Sequence, residues 1–200
     1  DPRAAEALMV RTLGSGANCI GYYMYHGGSN PRRTGGGFFA DEPMGIPKIS
    51  YDYQAPIGEF GKTRESYKYL RVLHTFINSF GNKLAPMETV LPIGYDTISR
   101  ANRETLRFAA RMKDGSGFLF MTNFQDHDTE RKDQEGLQIS LNLKNEKLTI
   151  PEKGTMTLRK DVSAILPFNL TMEGALLKYA TAQLLTRITD GKYIHYIFFA

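Results

Sequence analysis

Residues 18–30 read NCIGYYMYHGGSN, and this stretch decides how the first half of the chain is interpreted. The run at 18–28 alternates, is rich in aromatic side chains and ends in two glycines, which predicts a strand of about eight residues at 19–26. Before it, residues 3–13 carry apolar side chains at helical spacing, and Gly14 and Gly16 predict the end of that helix. A helix, a short turn and a strand that is apolar on both faces form the repeat of a parallel α/β protein.

A long loop and a second helix follow. Residues 27–57 are rich in Gly and Pro with little periodicity, and a loop of this length inside a compact domain is typical of a functional segment. Apolar side chains recur at helical spacing over residues 65–80, and Gly81-Asn82 predicts the end of the helix. Residues 83–92 contain two prolines and no periodicity, which indicates a linker and a domain boundary near residue 90.

The sequence beyond residue 90 is typical of an all-β domain. Residues 105–125 contain two strand patterns joined by a glycine-rich hairpin turn, and further alternating runs continue to residue 199. Short strands with frequent turns favour a sandwich or a barrel. The predicted fold class is therefore α/β plus all-β, with an α/β part at 1–90 and an incomplete, antiparallel β-sandwich-like part at 91–200.

Composition argues against several classes of partner. The net charge of +4 is spread over both halves, without the basic run typical of a nucleic-acid-binding protein. No segment approaches the roughly 18 consecutive apolar residues of a membrane helix, so membrane insertion is not expected, and the N-terminus lacks a signal-peptide layout. The single cysteine, Cys19, lies in an apolar run and is predicted to be a small buried side chain.

Motifs for phosphate, metal ions and paired carboxylates are weak. Residues 58–63, GEFGKT, end like a phosphate-binding loop, but the glycine that the motif requires before Gly61 is replaced by Pro56. The four histidines are far apart and have no Cys or carboxylate at ligand spacing, so neither a metal nor a cofactor is implied. Glu42 and Glu59 lie in the long loop and are expected to be solvated, and spacing nominates no catalytic pair.

The tyrosines carry a stronger signal. Alternation along the predicted strand places Tyr23 and Tyr25 on one face and residues 22, 24 and 26 on the other. Tyr51 and Tyr53 follow at the far end of the loop. Sugars present apolar C–H faces and many hydroxyls, and tyrosine offers both a ring to stack and an O–H to hydrogen-bond. From the residues alone, a carbohydrate-facing loop and aromatic packing at a barrel rim both stay open.

Two motifs resemble a known family. Residues 21–37, GYYMYHGGSNPRRTGGG, and residues 49–74, ISYDYQAPIGEFGKTRESYKYLRVLH, are similar to a segment of glycoside hydrolase family 35 β-galactosidases that reads roughly YMFHGGTNFGRTSGG, then SYDYDAPIDEYG and a helix. The similarity is dense over residues 19–80 and looser in the β-rich part. It implies the C-terminal portion of a (β/α)8 TIM barrel, with helix 7, strand 8 and helix 8 in residues 1–90, followed by a β-rich accessory domain.

The resemblance also implies roles for individual residues. In that family two glutamates, after strands 4 and 7 of the barrel, cleave terminal β-linked galactose with retention. Both would lie upstream of Asp1 with the remainder of the barrel, so no catalytic residue is expected here and the chain alone would be inactive. Galactose contact is assigned to Tyr23 and Tyr53, and Asp52 is expected to hold the loop by hydrogen bonds. Four positions depart from the family pattern and leave the exact sugar and the aglycone preference open: Ser29 for Thr, Pro31 for Phe, Gln54 for Asp and Gly58 for an acidic residue.

The implied substrate is a galactoside or another glycan, without a cofactor, and the family favours a secreted or periplasmic location. The alternative is a non-catalytic carbohydrate-binding protein on the same fold, in which the loop presents tyrosines to a sugar without hydrolysis. Tyr22 and Met24 are expected to pack between barrel and helix, while the roles of Tyr25 and His26 stay open.

Overall fold

A computed structural model of the chain describes residues 1–32, 34–35, 40–41, 46–47, 49–99 and 101–200. These residues form two compact units. The first contains residues 1, 3–20 and 71–200, and the second contains residue 2 and residues 21–70. This division differs from the ranges 1–90 and 91–200 inferred from the sequence, and the assignment of those ranges to a barrel and an accessory domain stays a prediction.

The helices and strands have the following bounds in chain order. The helices are α1 (Ala4–Gly14) and α2 (Glu65–Leu84), with a short 3-10 turn at Tyr95–Thr97. The strands are β1 (Gly28–Ser29), β2 (Ala40–Asp41), β3 (Ile46–Pro47), β4 (Ser50–Tyr51), β5 (Glu88–Val90), β6 (Arg107–Lys113), β7 (Ser116–Thr122), β8 (Gln134–Leu137), β9 (Ile139–Asn142), β10 (Lys147–Ile150), β11 (Met156–Leu158), β12 (Ser163–Met172), β13 (Ala175–Tyr179), β14 (Gln183–Thr189) and β15 (Ile194–Phe199).

Helix α1 confirms the helix predicted at 3–13. Its buried residues Ala7, Val10 and Leu13 recur at every third position, a spacing that places them on one face. The last residue, Gly14, lies against the sheet, since a Cβ there would be 2.8 Å from the Phe120 Cβ. The helix therefore ends at a contact that is too close for any larger residue.

Helix α2 runs four residues past the predicted end, to Leu84. A glycine inside a helix, here Gly81, costs about 1 kcal/mol relative to alanine. Full burial of a leucine side chain contributes about 2 kcal/mol, and Leu84 is buried together with Phe80. Burial therefore outweighs the weak helix propensity of Gly81-Asn82, and the helix continues.

The main sheet of the first unit is antiparallel, in the order β13–β12–β7–β6–β5. β6 and β7 form the predicted hairpin, whose turn residues Asp114 and Gly115 have φ angles of 52° and 78°. Such left-handed backbone is that of a tight two-residue hairpin turn. β5 lies in the segment interpreted as a linker, yet it pairs with β6, with Glu88 opposite Met112. Residues 88–90 are therefore the edge of the sheet.

The remaining strands of the first unit confirm the alternating patterns between residues 134 and 199. They pair as β8 with β11, β9 with β10 and β14 with β15. Side chains of β9 and β10 share one hydrophobic core with the main sheet, which includes Leu119, Leu148, Ile150 and Phe168. The described residues thus form two helices and antiparallel sheets without a closed barrel, and the TIM-barrel portion and the sandwich stay predictions.

Arg111 is a buried cation in the first unit. Its side chain is 1% exposed, and burial lowers the pKa of its guanidinium. It donates hydrogen bonds of 2.8–3.4 Å to Asn18 Oδ1 and to the carbonyls of Leu13, Ala17, Leu84, Ala85 and Met87. Two of these carbonyls belong to the last turns of α1 and α2, where helix dipoles concentrate negative charge. The guanidinium therefore joins both helix ends to β6.

In the second unit, the described residues do not form the strand predicted at 19–26. Residues 23–25 form a turn, and His26 makes an isolated parallel bridge to Ile57. The strand prediction was wrong because a strand needs neighbours for its N–H and C=O groups, and no described strand lies beside residues 19–25. The prediction that Cys19 is buried was also wrong, because this residue, which belongs to the first unit, is exposed.

Candidate functional site

Three tyrosines of the second unit form a continuous group, which we call the tyrosine patch. The ring centroids of Tyr23 and Tyr51 are 6.4 Å apart at 89°, and those of Tyr51 and Tyr53 are 4.7 Å apart at 78°. The hydroxyls of Tyr23 and Tyr51 are hydrogen-bonded to each other. Tyr23 is 85% exposed and Tyr53 is 56% exposed. The two tyrosines that the resemblance assigns to galactose thus lie on either side of Tyr51, with much of both side chains open to solvent.

Strand pairing brings the two tyrosine-bearing segments together. β1 pairs antiparallel with β4, with Gly28 opposite Tyr51. Gly27 N donates to Ile57 O at 2.7 Å, and Ile57 N donates to Tyr25 O at 3.0 Å. Segment 23–29 is therefore fixed by backbone hydrogen bonds to residues at both ends of segment 50–57.

The backbone turns sharply at Tyr53. Tyr53 and Gln54 have φ angles of 44° and 53°, which is left-handed and uncommon for such residues. A hydrogen bond of 2.9 Å from Ala55 N to Asp52 O closes the turn. Backbone of this kind costs of order 1 kcal/mol per residue and persists where surrounding contacts hold it.

Asp52 provides those contacts. Its Oδ1 accepts a hydrogen bond of 2.6 Å from Glu59 N, and its Oδ2 accepts one from the Arg64 guanidinium. The hydrogen bond from Glu59 N, followed by Arg64, lowers the pKa of the Asp52 carboxyl. Arg64 also donates to Ala55 O at 2.6 Å. Asp52 is thus ionised at neutral pH and holds the loop by hydrogen bonds, as expected.

The carboxylate of Glu59 extends the network to the strands. It accepts hydrogen bonds from the hydroxyls of Ser29 and Ser50, which lower its pKa. Ser29 and Ser50 lie opposite one another on β1 and β4. Glu59, expected to be solvated, is therefore partly buried and ties these strands together, whereas Glu42 lies outside the described residues.

Two glycines make room for this network. A Cβ on Gly27 would be 2.5 Å from Asp52 Oδ1 and 2.9 Å from Glu59 N. A Cβ on Gly58 would be 3.0 Å from Arg64 Nη1. Gly58 stands where the family pattern has an acidic residue, and in this chain the guanidinium lies close to the space that such a side chain would enter.

Tyr22 and Tyr25 belong to a second aromatic cluster. Their ring centroids are 5.3 Å apart, and Tyr25 lies 6.3 Å from Tyr67. The prediction that Tyr22 and Tyr25 point to opposite faces was wrong, because the turn at 23–25 brings them together. Burial raises the pKa of Tyr22 to about 12. Tyr25 is thus half-buried against two other tyrosines, while His26 is exposed and its Nδ1 is hydrogen-bonded to Gly27 O.

A separate groove of about 1220 Å³ lies in the first unit, beside the hairpin turns of β6–β7 and β9–β10. Lysines and asparagines line much of it, and it contains none of the predicted site residues. Asn169, which begins an Asn-Leu-Thr sequon, lies in this groove. Its Nδ2 donates hydrogen bonds to Gly115 O at 3.0 Å and to Glu146 Oε1 at 2.8 Å. The nitrogen to which a glycan would be attached is therefore already used within the fold.

The described residues contain no group of three or more His, Cys, Asp or Glu side chains placed to hold a metal ion. Within the same part of the chain, neither helix combines the length and the apolar character needed to cross a membrane.

Arg64 is the site residue that sequence reasoning missed. A basic residue just before a helix is ordinary, and its spacing from Asp52 indicates no contact. The two meet because Ile57 bridges to Thr63, which folds residues 58–62 into a hairpin loop and returns the chain to the turn. This closure depends on backbone hydrogen bonds that no side-chain pattern reveals.

Comparison with known families places this geometry in context. Residues 3–77 match the model of glycosyl hydrolases family 35, which confirms the resemblance for this part of the chain. The matched residues make up less than half of the chain and contain the whole tyrosine patch and its hydrogen-bond network. Members of that family are glycoside hydrolases that act on β-galactosides.

Proposed function

From the match of residues 3–77 to glycosyl hydrolases family 35, we propose that this chain is part of a retaining glycoside hydrolase that removes terminal β-linked galactose from glycans or oligosaccharides. In this proposal Tyr23 and Tyr53 form one wall of the sugar pocket. The resemblance assigns none of the residues of this chain to the two catalytic glutamates, which other strands of the barrel would supply.

The observation that supports this role is the exposure of two tyrosines that the surrounding contacts hold in place. A tyrosine needed only for packing buries its ring, whereas Tyr23 and Tyr53 are 85% and 56% exposed. Their rings can stack on the C–H face of a sugar, and their hydroxyls can exchange hydrogen bonds with sugar hydroxyls. The turn that carries Tyr53 is closed by the hydrogen bond from Ala55 N to Asp52 O, and Tyr23 is joined to Tyr51 through their hydroxyls. Both tyrosines are therefore held before a ligand arrives, which reduces the entropy lost on binding.

Each residue group has a distinct part in this mechanism. The tyrosine patch binds and orients the galactose ring, and Asp52, Arg64 and Glu59 hold the patch. A retaining hydrolase then requires a carboxylate nucleophile and a carboxylic acid about 5 Å apart, which attack the anomeric carbon and protonate the leaving oxygen. Ionised Asp52 is engaged by Arg64 and Glu59 N, so we assign it to the support of the wall.

Galactose binding by residues 1–200 tests the proposal. Saturation-transfer NMR is the suitable measurement, because this method detects weak ligands. Loss of one net hydrogen bond in Tyr53→Phe should raise the Kd about two- to tenfold. Tyr95→Phe is the matched control, because Tyr95 is similarly exposed, at 53%, but lies outside the patch. Unchanged galactose binding by a Tyr23→Phe, Tyr53→Phe double variant would refute the assignment.

Hydrolysis of a nitrophenyl β-galactoside separates the enzyme from its alternative. Residues 1–200 should release no nitrophenol. The same residues within a protein that carries the remaining barrel strands should release it, and Tyr53→Phe should slow this release. If the larger protein binds galactose but has no turnover, the chain belongs to a non-catalytic carbohydrate-binding protein.

A further inference from the structure

We infer that Arg64 is a positioning residue that holds Tyr53 in the tyrosine patch, and that the carboxylate of Glu59 holds Tyr51 through the strands. The conformational part of this inference stands on the hydrogen-bond geometry alone. Its consequence for sugar binding rests on the proposed function.

The guanidinium of Arg64 brackets the strained turn. It bonds the Asp52 carboxylate, which precedes Tyr53 and Gln54, and the carbonyl of Ala55, which follows them. The two left-handed residues therefore lie between two anchors on one rigid, planar group. Lysine cannot reproduce this, because a single ammonium lacks the planar fork that satisfies two acceptors in fixed directions.

A second set of contacts acts on the other tyrosines. Glu59 bonds Ser29 and Ser50 across β1 and β4, and Tyr51 is the strand residue next to Ser50. Tyr23 is joined to Tyr51 through their hydroxyls. Loss of Arg64 should therefore release Tyr53 while Tyr23 and Tyr51 stay in place, a difference that general destabilisation of the unit would not produce.

Incorporation of 3-fluorotyrosine allows each ring to be followed by ¹⁹F NMR, with resonances assigned by Tyr→Phe substitutions. In Arg64→Ala, the Tyr53 resonance should move toward that of an unstructured tyrosine, and the Tyr23 resonance should not shift. Added guanidinium ion, at a non-denaturing concentration, should restore the Tyr53 resonance. Tetramethylammonium at the same concentration should not, since it cannot donate hydrogen bonds.

Two further variants keep the test decisive. Arg64→Lys retains the positive charge but lacks the planar guanidinium, and we expect it to behave like Arg64→Ala. This variant therefore distinguishes an effect of hydrogen-bond geometry from an effect of charge. Arg71→Ala removes an exposed arginine of α2 and should leave both resonances unchanged. A Tyr53 resonance that stays at its wild-type position in folded Arg64→Ala, or one that Arg64→Lys fully restores, would overturn the inference.

Galactose binding by the same variants forms the second arm. Arg64→Ala should raise the Kd about two- to tenfold, as Tyr53→Phe does, because the Tyr53 hydroxyl is no longer held in place. If the wild-type chain does not bind galactose but the ¹⁹F response follows the expected pattern, the proposed function fails and the positioning role stands. If the wild-type chain binds galactose but the Tyr53 resonance does not change in Arg64→Ala, the positioning role fails and the proposed function stands.

Discussion

Replacement of Arg111 by methionine removes the buried cation and keeps much of the volume of its side chain. The substitution leaves the carbonyls of Ala17 and Met87 and the Asn18 amide oxygen without the guanidinium donor. The carbonyls of Leu13, Leu84 and Ala85 keep hydrogen bonds from Gly16 N, Met87 N and Asn18 Nδ2. Because Arg111 is 1% exposed, water cannot easily replace the lost donor. We therefore expect a large loss of stability from a single substitution.

The size of the expected stability loss can be worked out from the acceptors that lose the Arg111 donor. The carbonyls of Ala17 and Met87 lie outside both helices and accept hydrogen bonds from Arg111 at 3.2 Å and 3.0 Å. A buried carbonyl without a donor costs about 1–3 kcal/mol, and each helix end loses about 0.5–1 kcal/mol of favourable charge–dipole interaction. Two such carbonyls and two helix ends together cost about 3–8 kcal/mol, and relief of the buried charge reduces the expected net loss to about 3–5 kcal/mol. We expect this range for Arg111→Met.

Urea unfolding followed by circular dichroism measures this loss, and thermal unfolding should show a fall in Tm of about 6–20 °C for a chain of this size. Arg107→Met is the matched control on the same strand, because its guanidinium bonds Ser99 O and Asn102 O near the surface. That control should cost less than about 1 kcal/mol. If Arg111→Met unfolds at the same urea concentration as Arg107→Met, the argument from the carbonyls is refuted.

Two further predictions concern the first unit. Gly117→Ala should destabilise it by about 1–3 kcal/mol in urea unfolding, because the added Cβ would collide with the backbone carbonyl oxygen of Arg111 and lie 2.8 Å from Phe168 Cζ. In the control Gly81→Ala, the Cβ is 3.6 Å from Ile77 Cγ2, and we expect a gain of about 0.5–1 kcal/mol. Burial raises the pKa of Glu6 above its ordinary value of 4.5. The protonated Glu6 carboxyl therefore stabilises the fold fully below pH 4.5, and this stabilisation is lost as pH rises through the pKa of Glu6 in the folded protein. Between pH 4.5 and 7 the wild type should therefore lose stability relative to Glu6→Gln, and identical pH profiles would contradict this.

Local signals predicted much of the first unit. Spacing and the glycine at its end defined α1, and Asp114-Gly115 between apolar runs defined the β6–β7 hairpin. In both, the hydrogen-bond partners are close in sequence, so local pattern and turn chemistry carry the needed information. The boundary of α2 was less predictable, because burial of Leu84 is a tertiary effect that opposes local propensity.

The errors arose where distant partners decide the structure. Residues 19–26 have the composition of a strand, but a strand exists only beside another, and the described residues provide only the single bridge from His26 to Ile57. Arg111 occupies an ordinary position in an alternating pattern, and only the three-dimensional arrangement places two helix ends around it. In the candidate site the tyrosines were found by composition and resemblance, whereas the Arg64–Asp52 contact depends on the hairpin loop at 58–62.

The acceptors of Arg111 also bear on the order in which the first unit folds. They lie at residues 13–18 and 84–87, and Leu13 is 98 positions away in sequence. An intermediate in which the sheet has collapsed before either helix end has docked would contain a guanidinium shielded from water and without acceptors. Such a species is high in free energy, which favours simultaneous assembly of α1, the end of α2 and β6. Unfolding of these three elements should accordingly occur in one step, without a populated state that retains the hairpin alone.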